Sequence, residues 1–267
     1  MSGAVALLRS CHPGPTAAVT VIAALLGVSA GLSGGLLLAV IAAVLVGQLS
    51  IGWSNDWLDA GRDAAAGRTD KPAATGLVEP STLRAAALWS GALSAPISLA
   101  TGWGGGWHLL LVASGWAYNL GLKGTAWSPV PYAVGFAALP VYVTAVAGVG
   151  APWWVPASGG TLGVAAHFAN AAPDVEQDRA FGIRGLPQRI GARSSLVVAL
   201  ALLGCVGGVL LTQIGLNGLS LVLAFALVAL PLIVGTTLIV QDRIGRPAFT
   251  VVMVAAVLDV ALLLAAA

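Results

Sequence analysis

Asn55-Asp56-Trp57-Leu58-Asp59-Ala60-Gly61-Arg62-Asp63 places three carboxylates and a carboxamide at the end of a long apolar run. Asn55, Asp59 and Asp63 are four apart, so a helix stacks them on one face, with Asp56 beside Asn55 on the flank of that stripe. Like charges one turn apart repel, and a carboxylate near hydrocarbon costs about 2.5–3.5 kcal/mol even on the lenient insertion scale. The stripe therefore demands a cation. Oxygen-only ligands at this spacing suit Mg²⁺, a hard ion that keeps several waters and commonly bridges to phosphates.

A second acidic stretch, Asp174-Val175-Glu176-Gln177-Asp178, again follows an apolar run and again sets carboxylates one helical turn apart. Either stretch alone is compatible with a helix end meeting water. Two of them, each followed by basic residues, point to facing sites that hold a diphosphate between metal ions.

The chain is 58% hydrophobic and 8% charged, with a mean hydropathy of +0.94, against roughly 25% charged residues in soluble domains. That composition predicts an all-α integral membrane protein and leaves no basic surface for nucleic acid. A bilayer core needs about 20 apolar residues per helix. About nine segments meet that description, near Thr16–Leu32, Gly35–Trp57, Ser81–Ala100, Trp107–Gly121, Pro129–Val149, Gly160–Ala172, Ser195–Gln213, Leu219–Val240 and Ala248–Ala266. The first follows Arg9 as a signal peptide would, but reads as a retained helix. No linker interrupts the series, so residues 1–267 read as a single domain. All 12 Lys and Arg residues fall on alternate connections. The positive-inside rule then places the amino terminus and both acidic motifs at the cytoplasmic face of the cell membrane. Cys11 and Cys205 lie far apart without metal or redox spacing.

Basic residues follow each motif, in Gly67-Arg68-Thr69-Asp70-Lys71-Pro72 and in the run Arg179 to Arg189. Arg grips phosphate oxygens through parallel N–H bonds and Lys supplies a compact charge. Arg68, Lys71, Lys123 and Arg184 are the favoured phosphate contacts; the remaining basic residues read as topogenic charge. His167 and Asn170 lie on the Asp174 stripe, deeper in the membrane. His12, at the cytoplasmic entry of the first helix, is placed where it could face the same site but reads first as a helix start, and Asp259 is an acid stranded within the last span. Trp53, Trp57, Trp89, Trp116, Tyr118, Tyr132, Phe136 and Tyr142 are candidates for an aromatic cavity wall. Trp103, Trp107, Trp153 and Trp154, on the uncharged side, resemble an interfacial belt.

These motifs resemble those of the UbiA superfamily of intramembrane prenyltransferases. Its NDxxDxxxD motif is met by Asn55, Asp56, Asp59 and Asp63, and its DxxxD motif by Asp174 and Asp178. Lys71-Pro72 matches the basic residue and proline after the first, and Gly182, Leu186-Pro187 and Gly191 match positions after the second. Tyr118 and Lys123 resemble the Tyr-and-Lys stretch at the end of the fourth helix, although Gly124 replaces a common second basic residue. The resemblance implies a bundle of nine transmembrane helices around a central cavity. An isoprenyl diphosphate would bind through Mg²⁺ and give up its isoprenyl group to an aromatic or other lipophilic acceptor among membrane lipids. It further implies Asn55, Asp59, Asp174 and Asp178 as metal ligands. Asp56 and Asp63 would orient ligands or waters, assisted by Lys71, Lys123, Arg68 and Arg184, with Tyr118, Asn119, His167 and Asn170 near the substrates.

Two further readings stand beside it. A terpene cyclase on the same scaffold would use the diphosphate without an acceptor. A transporter with a divalent-cation site would need polar residues through the depth of the membrane, whereas this chain gathers its charges on one side.

Overall fold

The computed structural model describes residues 3–266, and among these the chain is helical, with no strand. The elements are α1 (Gly3–Arg9), α2 (Pro13–Ser29), α3 (Gly34–Ala65), α4 (Pro80–Ala100), α5 (Gly105–Leu120), α6 (Val130–Val146), α7 (Trp154–Ala171), α8 (Val175–Ala180), α9 (Leu186–Ile190), α10 (Ala192–Gln213), α11 (Gly218–Val240) and α12 (Arg246–Ala266). Each apolar segment read from the sequence coincides with one of these helices. Four of them, α3, α10, α11 and α12, are long and apolar enough to cross a membrane, or five if the bent pair α1–α2 counts as one span. Their outward faces are hydrocarbon: Leu219, Val222, Phe225, Leu230 and Ile233 along α11 are all exposed. These features describe an integral membrane protein.

Boundaries differ from the sequence reading where local chemistry overrides hydropathy. Helix α3 continues past Trp57 to Ala65, so the whole first motif lies on one uninterrupted helix. At 1.5 Å per residue its 32 residues reach about 48 Å. About twenty suffice for the hydrocarbon, so a span counted from Gly34 ends beside the motif. Helix α7 begins at Trp154 rather than near Gly160, because Pro156 falls in the first turn, where a missing N–H is tolerated. Trp154 is consequently buried, whereas Trp103 and Trp153 stand exposed as an interfacial belt requires. Trp89 is also exposed, so it forms no part of an inner wall.

The chain forms two compact units, Met1–Gly121 with Ala138–Ala151 and Leu122–Ala137 with Pro152–Ala267. In the first, α3 packs against α2, α4 and α5, and α4 packs against α5. In the second, α10 packs against α7, α9, α11 and α12, and α12 against α7 and α11.

In the first unit, the α1–α2 elbow is fastened onto α3. The two helices meet at 63°. Trp53 donates its indole N–H to the Leu7 carbonyl at 2.9 Å, and Ala6 packs in a cluster with Val78, Leu83, Trp53 and Trp57. A Cβ on Gly52 would run into the Cys11 carbonyl, so only glycine admits this approach. Gly52→Ala should lower unfolding stability by about 1–3 kcal/mol. Gly61→Ala on the same helix, where a Cβ meets nothing within 4 Å, should be neutral or raise it by up to about 1 kcal/mol. Thermal unfolding of the two variants in detergent checks the pair; equal effects would remove the elbow contact from the account.

Candidate active site

In the first unit the elbow delivers His12 to α3. His12 caps α2 with φ 54°, a left-handed state that costs a non-glycine residue about 1–2 kcal/mol. Such strain is held where surrounding contacts over-determine it. Here the contact is with buried Asp56, whose Oδ1 lies 2.9 Å from His12 Nε2. Lys71 Nζ donates to the same oxygen at 2.7 Å and lies 3.2 Å from His12 Nε2. With its proton on Nε2 the imidazole donates to Asp56; with the proton on Nδ1 it accepts from Lys71. Lys71 neutralises the carboxylate in both states.

Asn55 is half-buried on the same turn. Its Nδ2 donates to Asn119 Oδ1 at 3.0 Å. Asn119, on α5, is buried and in turn donates to the Ile51 carbonyl at 2.9 Å and Ser54 Oγ at 2.8 Å. These bonds fix which way the Asn55 carboxamide points and leave its oxygen for a cation. Asn119, read from the sequence beside the substrates, makes these bonds to α3. Tyr118, next to it on α5, is half-buried. Asp59 and Asp63 follow on the Asn55 face, both buried, and Arg62 pairs with Asp59 at 2.6 Å.

The donor set on this stripe is a carboxamide oxygen and two carboxylates, which fits Mg²⁺. Among the described residues, no three His, Cys, Asp or Glu side chains are grouped as a metal cage. Mg²⁺ does not need one, since it binds through one or two carboxylates plus water and phosphate oxygens. Arg68 grips Asp70 through two bonds of 2.9 and 2.8 Å in the loop after α3. That grip holds the Asp70 carboxyl down to about 2. The lowered value means the pair is intact above the ordinary carboxylate range and is lost only as pH falls through about 2.

In the second unit the acidic motif is not a straight helical stripe. Helix α7 stops at Ala171, a 3-10 turn spans Ala172–Asp174, and α8 starts at Val175. Pro173, which lacks an N–H, stands at the break. Asp174 is exposed and Asp178 half-buried. Buried Gln188 on α9 donates Nε2 to Asp178 Oδ2 at 2.7 Å. Arg179 donates Nε to the Gln188 carbonyl and NH1 to Glu176 at 3.0 Å, tying α8 to α9. Gln188 had no motif to mark it in the sequence. Arg184 is exposed between α8 and α9, and Lys123 is half-buried in a 3-10 turn, Leu122–Gly124. His167 is buried on α7, 3.0 Å from Ser128 Oγ, with its ring 4.7 Å from that of Tyr132. Ser128 Oγ also accepts the Leu186 N–H at 3.0 Å. Asn170 is exposed.

The sequence model of the UbiA prenyltransferase family matches residues 16–258. No curated protein matches the chain. Among solved structures, a UbiA homologue from Archaeoglobus fulgidus bound to GPP and Mg²⁺ is 15% identical, with 97% of this chain and 99% of that one covered at a TM-score of 0.69. The apo structure of a UbiA homologue from Aeropyrum pernix K1 is 18% identical, with 91% and 96% covered at 0.69. A structure described as digeranylgeranylglyceryl phosphate synthase is 14% identical, with 100% and 99% covered at 0.71. These likenesses establish the fold.

Removing Lys71 leaves the buried Asp56 without its cation. Lys71→Met should destabilise by about 3–5 kcal/mol, and adding Asp56→Asn should restore most of that loss. Thermal unfolding of the single and double variants tests this; a double variant no more stable than Lys71→Met would contradict the pairing.

Proposed function

The chain belongs to the UbiA prenyltransferase family, and on that premise we propose that it transfers an isoprenyl group from an isoprenyl diphosphate to an aromatic or other lipophilic acceptor within the membrane, with Mg²⁺ as cofactor. The observation that carries this reading is the oxygen-only face of α3, with Asn55 oriented by Asn119 and Asp56 neutralised by Lys71. The A. fulgidus homologue bound to GPP and Mg²⁺ supports it.

Asn55 and Asp59 on one motif, and Asp174 and Asp178 on the other, are the proposed metal ligands serving a single diphosphate. Mg²⁺ bound there neutralises the diphosphate and stabilises it as its charge grows on C–O cleavage. Asp56 sets the position of Lys71, which has three N–H donors and turns the others to phosphate oxygens. Asp63 orients water. Arg68, Lys123 and Arg184 complete the positive surround, and Tyr118, His167 and Asn170 lie toward the substrates. We propose one domain over residues 1–267, with nine spans around a central cavity. The amino terminus and the active site face the cytoplasm at the cell membrane, as the one-sided basic residues require.

Purified protein incubated with a ladder of isoprenyl diphosphates, candidate acceptors and Mg²⁺ should form prenylated acceptor, lose activity with EDTA and regain it with Mg²⁺. Asp59→Ala and Asp178→Ala should each lower turnover by at least about 10²-fold. Normal turnover in either variant contradicts the assignment. A hydrocarbon or terpene alcohol formed without acceptor makes the chain a cyclase instead.

A further inference from the structure

In the second unit, helix α9 begins without a cap of its own. The first turn of a helix leaves backbone N–H groups with no partner inside it, and the residue placed to supply an acceptor is Gly185, which has no side chain to do so. Its surroundings require a glycine: a Cβ there would lie 2.6 Å from the Lys123 carbonyl oxygen, 2.7 Å from Gln188 Oε1 and 3.1 Å from Ser128 Oγ. The acceptor therefore comes from elsewhere. Ser128, 58 residues before Leu186, takes the Leu186 N–H at 3.0 Å, the bond that a serine cap would ordinarily make from within the segment.

Ser128 is itself held in place. It is wholly buried, its backbone N–H donates to the Thr125 carbonyl at 3.1 Å, and its Oγ lies 3.0 Å from Nε2 of buried His167 on α7. One hydroxyl thus joins the connection that carries Lys123, the body of α7 and the start of α9. From α9 the contacts run on to the second acidic motif, where Gln188 donates Nε2 to Asp178 Oδ2 at 2.7 Å and its carbonyl accepts from Arg179 on α8. With five residues, α9 is too short to stand by its own hydrogen bonds, so these outside contacts set where Gln188 lies. We propose that Ser128 is a positioning residue for the second acidic motif: its hydroxyl, seated against His167, fixes α9 so that Gln188 aims the Asp178 carboxylate. The proposal rests on the reading of Asp178 as a Mg²⁺ ligand.

Two variants cut the same bond from opposite sides. Ser128→Ala removes the acceptor. Leu186→Pro removes the donor at the first helical position, where proline is tolerated, after a Gly185 whose extended backbone suits a following proline. Each is read in the full chain by hydrogen exchange over residues 175–190 and by the Mg²⁺ concentration that half-saturates binding of a non-hydrolysable isoprenyl diphosphate analogue. Exchange should quicken over that segment, and the Mg²⁺ midpoint should rise by about 10-fold. In an Asp178→Asn background Ser128→Ala should add no further rise, because the effect passes through that carboxylate. Unchanged exchange or an unchanged midpoint in either variant, or an equal rise with and without Asp178, overturns the proposal. If Asp178→Asn alone leaves the midpoint where it was, the metal reading is at fault and the proposal falls with it.

Discussion

A carboxylate at the end of an apolar helix must be neutralised, and the way Asp56 achieves this shapes the first unit. Lys71 reaches it from the loop after α3, and His12 reaches it from the α1–α2 elbow. Those two contacts bind the amino terminus and the loop to the same turn of α3. Trp53, Trp57 and Gly52 then seal the elbow with apolar and backbone contacts. Asp56 is thus satisfied by Lys71 and His12, while Arg62 pairs with Asp59 on the neighbouring Asn55–Asp59–Asp63 face.

The two motifs are built differently but are aligned by the same device. On α3 the proposed ligands ride a continuous helix, and a buried carboxamide, Asn119, turns the Asn55 amide. In the second unit the chain breaks at Pro173, and another buried carboxamide, Gln188, holds Asp178. A carboxamide can direct an oxygen ligand without adding charge, which matters where the site must receive both cations and a polyanion. Positional precision of this kind governs rate, since misplacement of a ligand by about 1 Å costs roughly 10²-fold.

Much of this was legible in the residues. The 4-residue spacing of Asn55, Asp59 and Asp63 marked a helical face, and α3 carries all three. Apolar runs located the long helices, and both acidic motifs were marked by their type and spacing. What escaped was set by tertiary contact. His12 does start a helix, as the N-cap of α2, but its contact with Asp56, 44 residues away, left no local signal. The bonds of Asn119 to Asn55, Ile51 and Ser54 on α3 were likewise invisible to spacing along the chain. Gln188 and Ser128 had no periodic or motif signal at all. Trp89 was placed with the inner aromatics by residue type alone, and its exposure followed from packing that hydropathy does not encode.

Both acidic motifs are proposed to act on one diphosphate. A double-mutant cycle with Asp59→Asn and Asp178→Asn, read as Mg²⁺-dependent affinity for a non-hydrolysable isoprenyl diphosphate analogue, measures that directly. Strong non-additivity is expected, with the double variant losing much less than the two single losses combined. Additive losses would show two independent sites and contradict it.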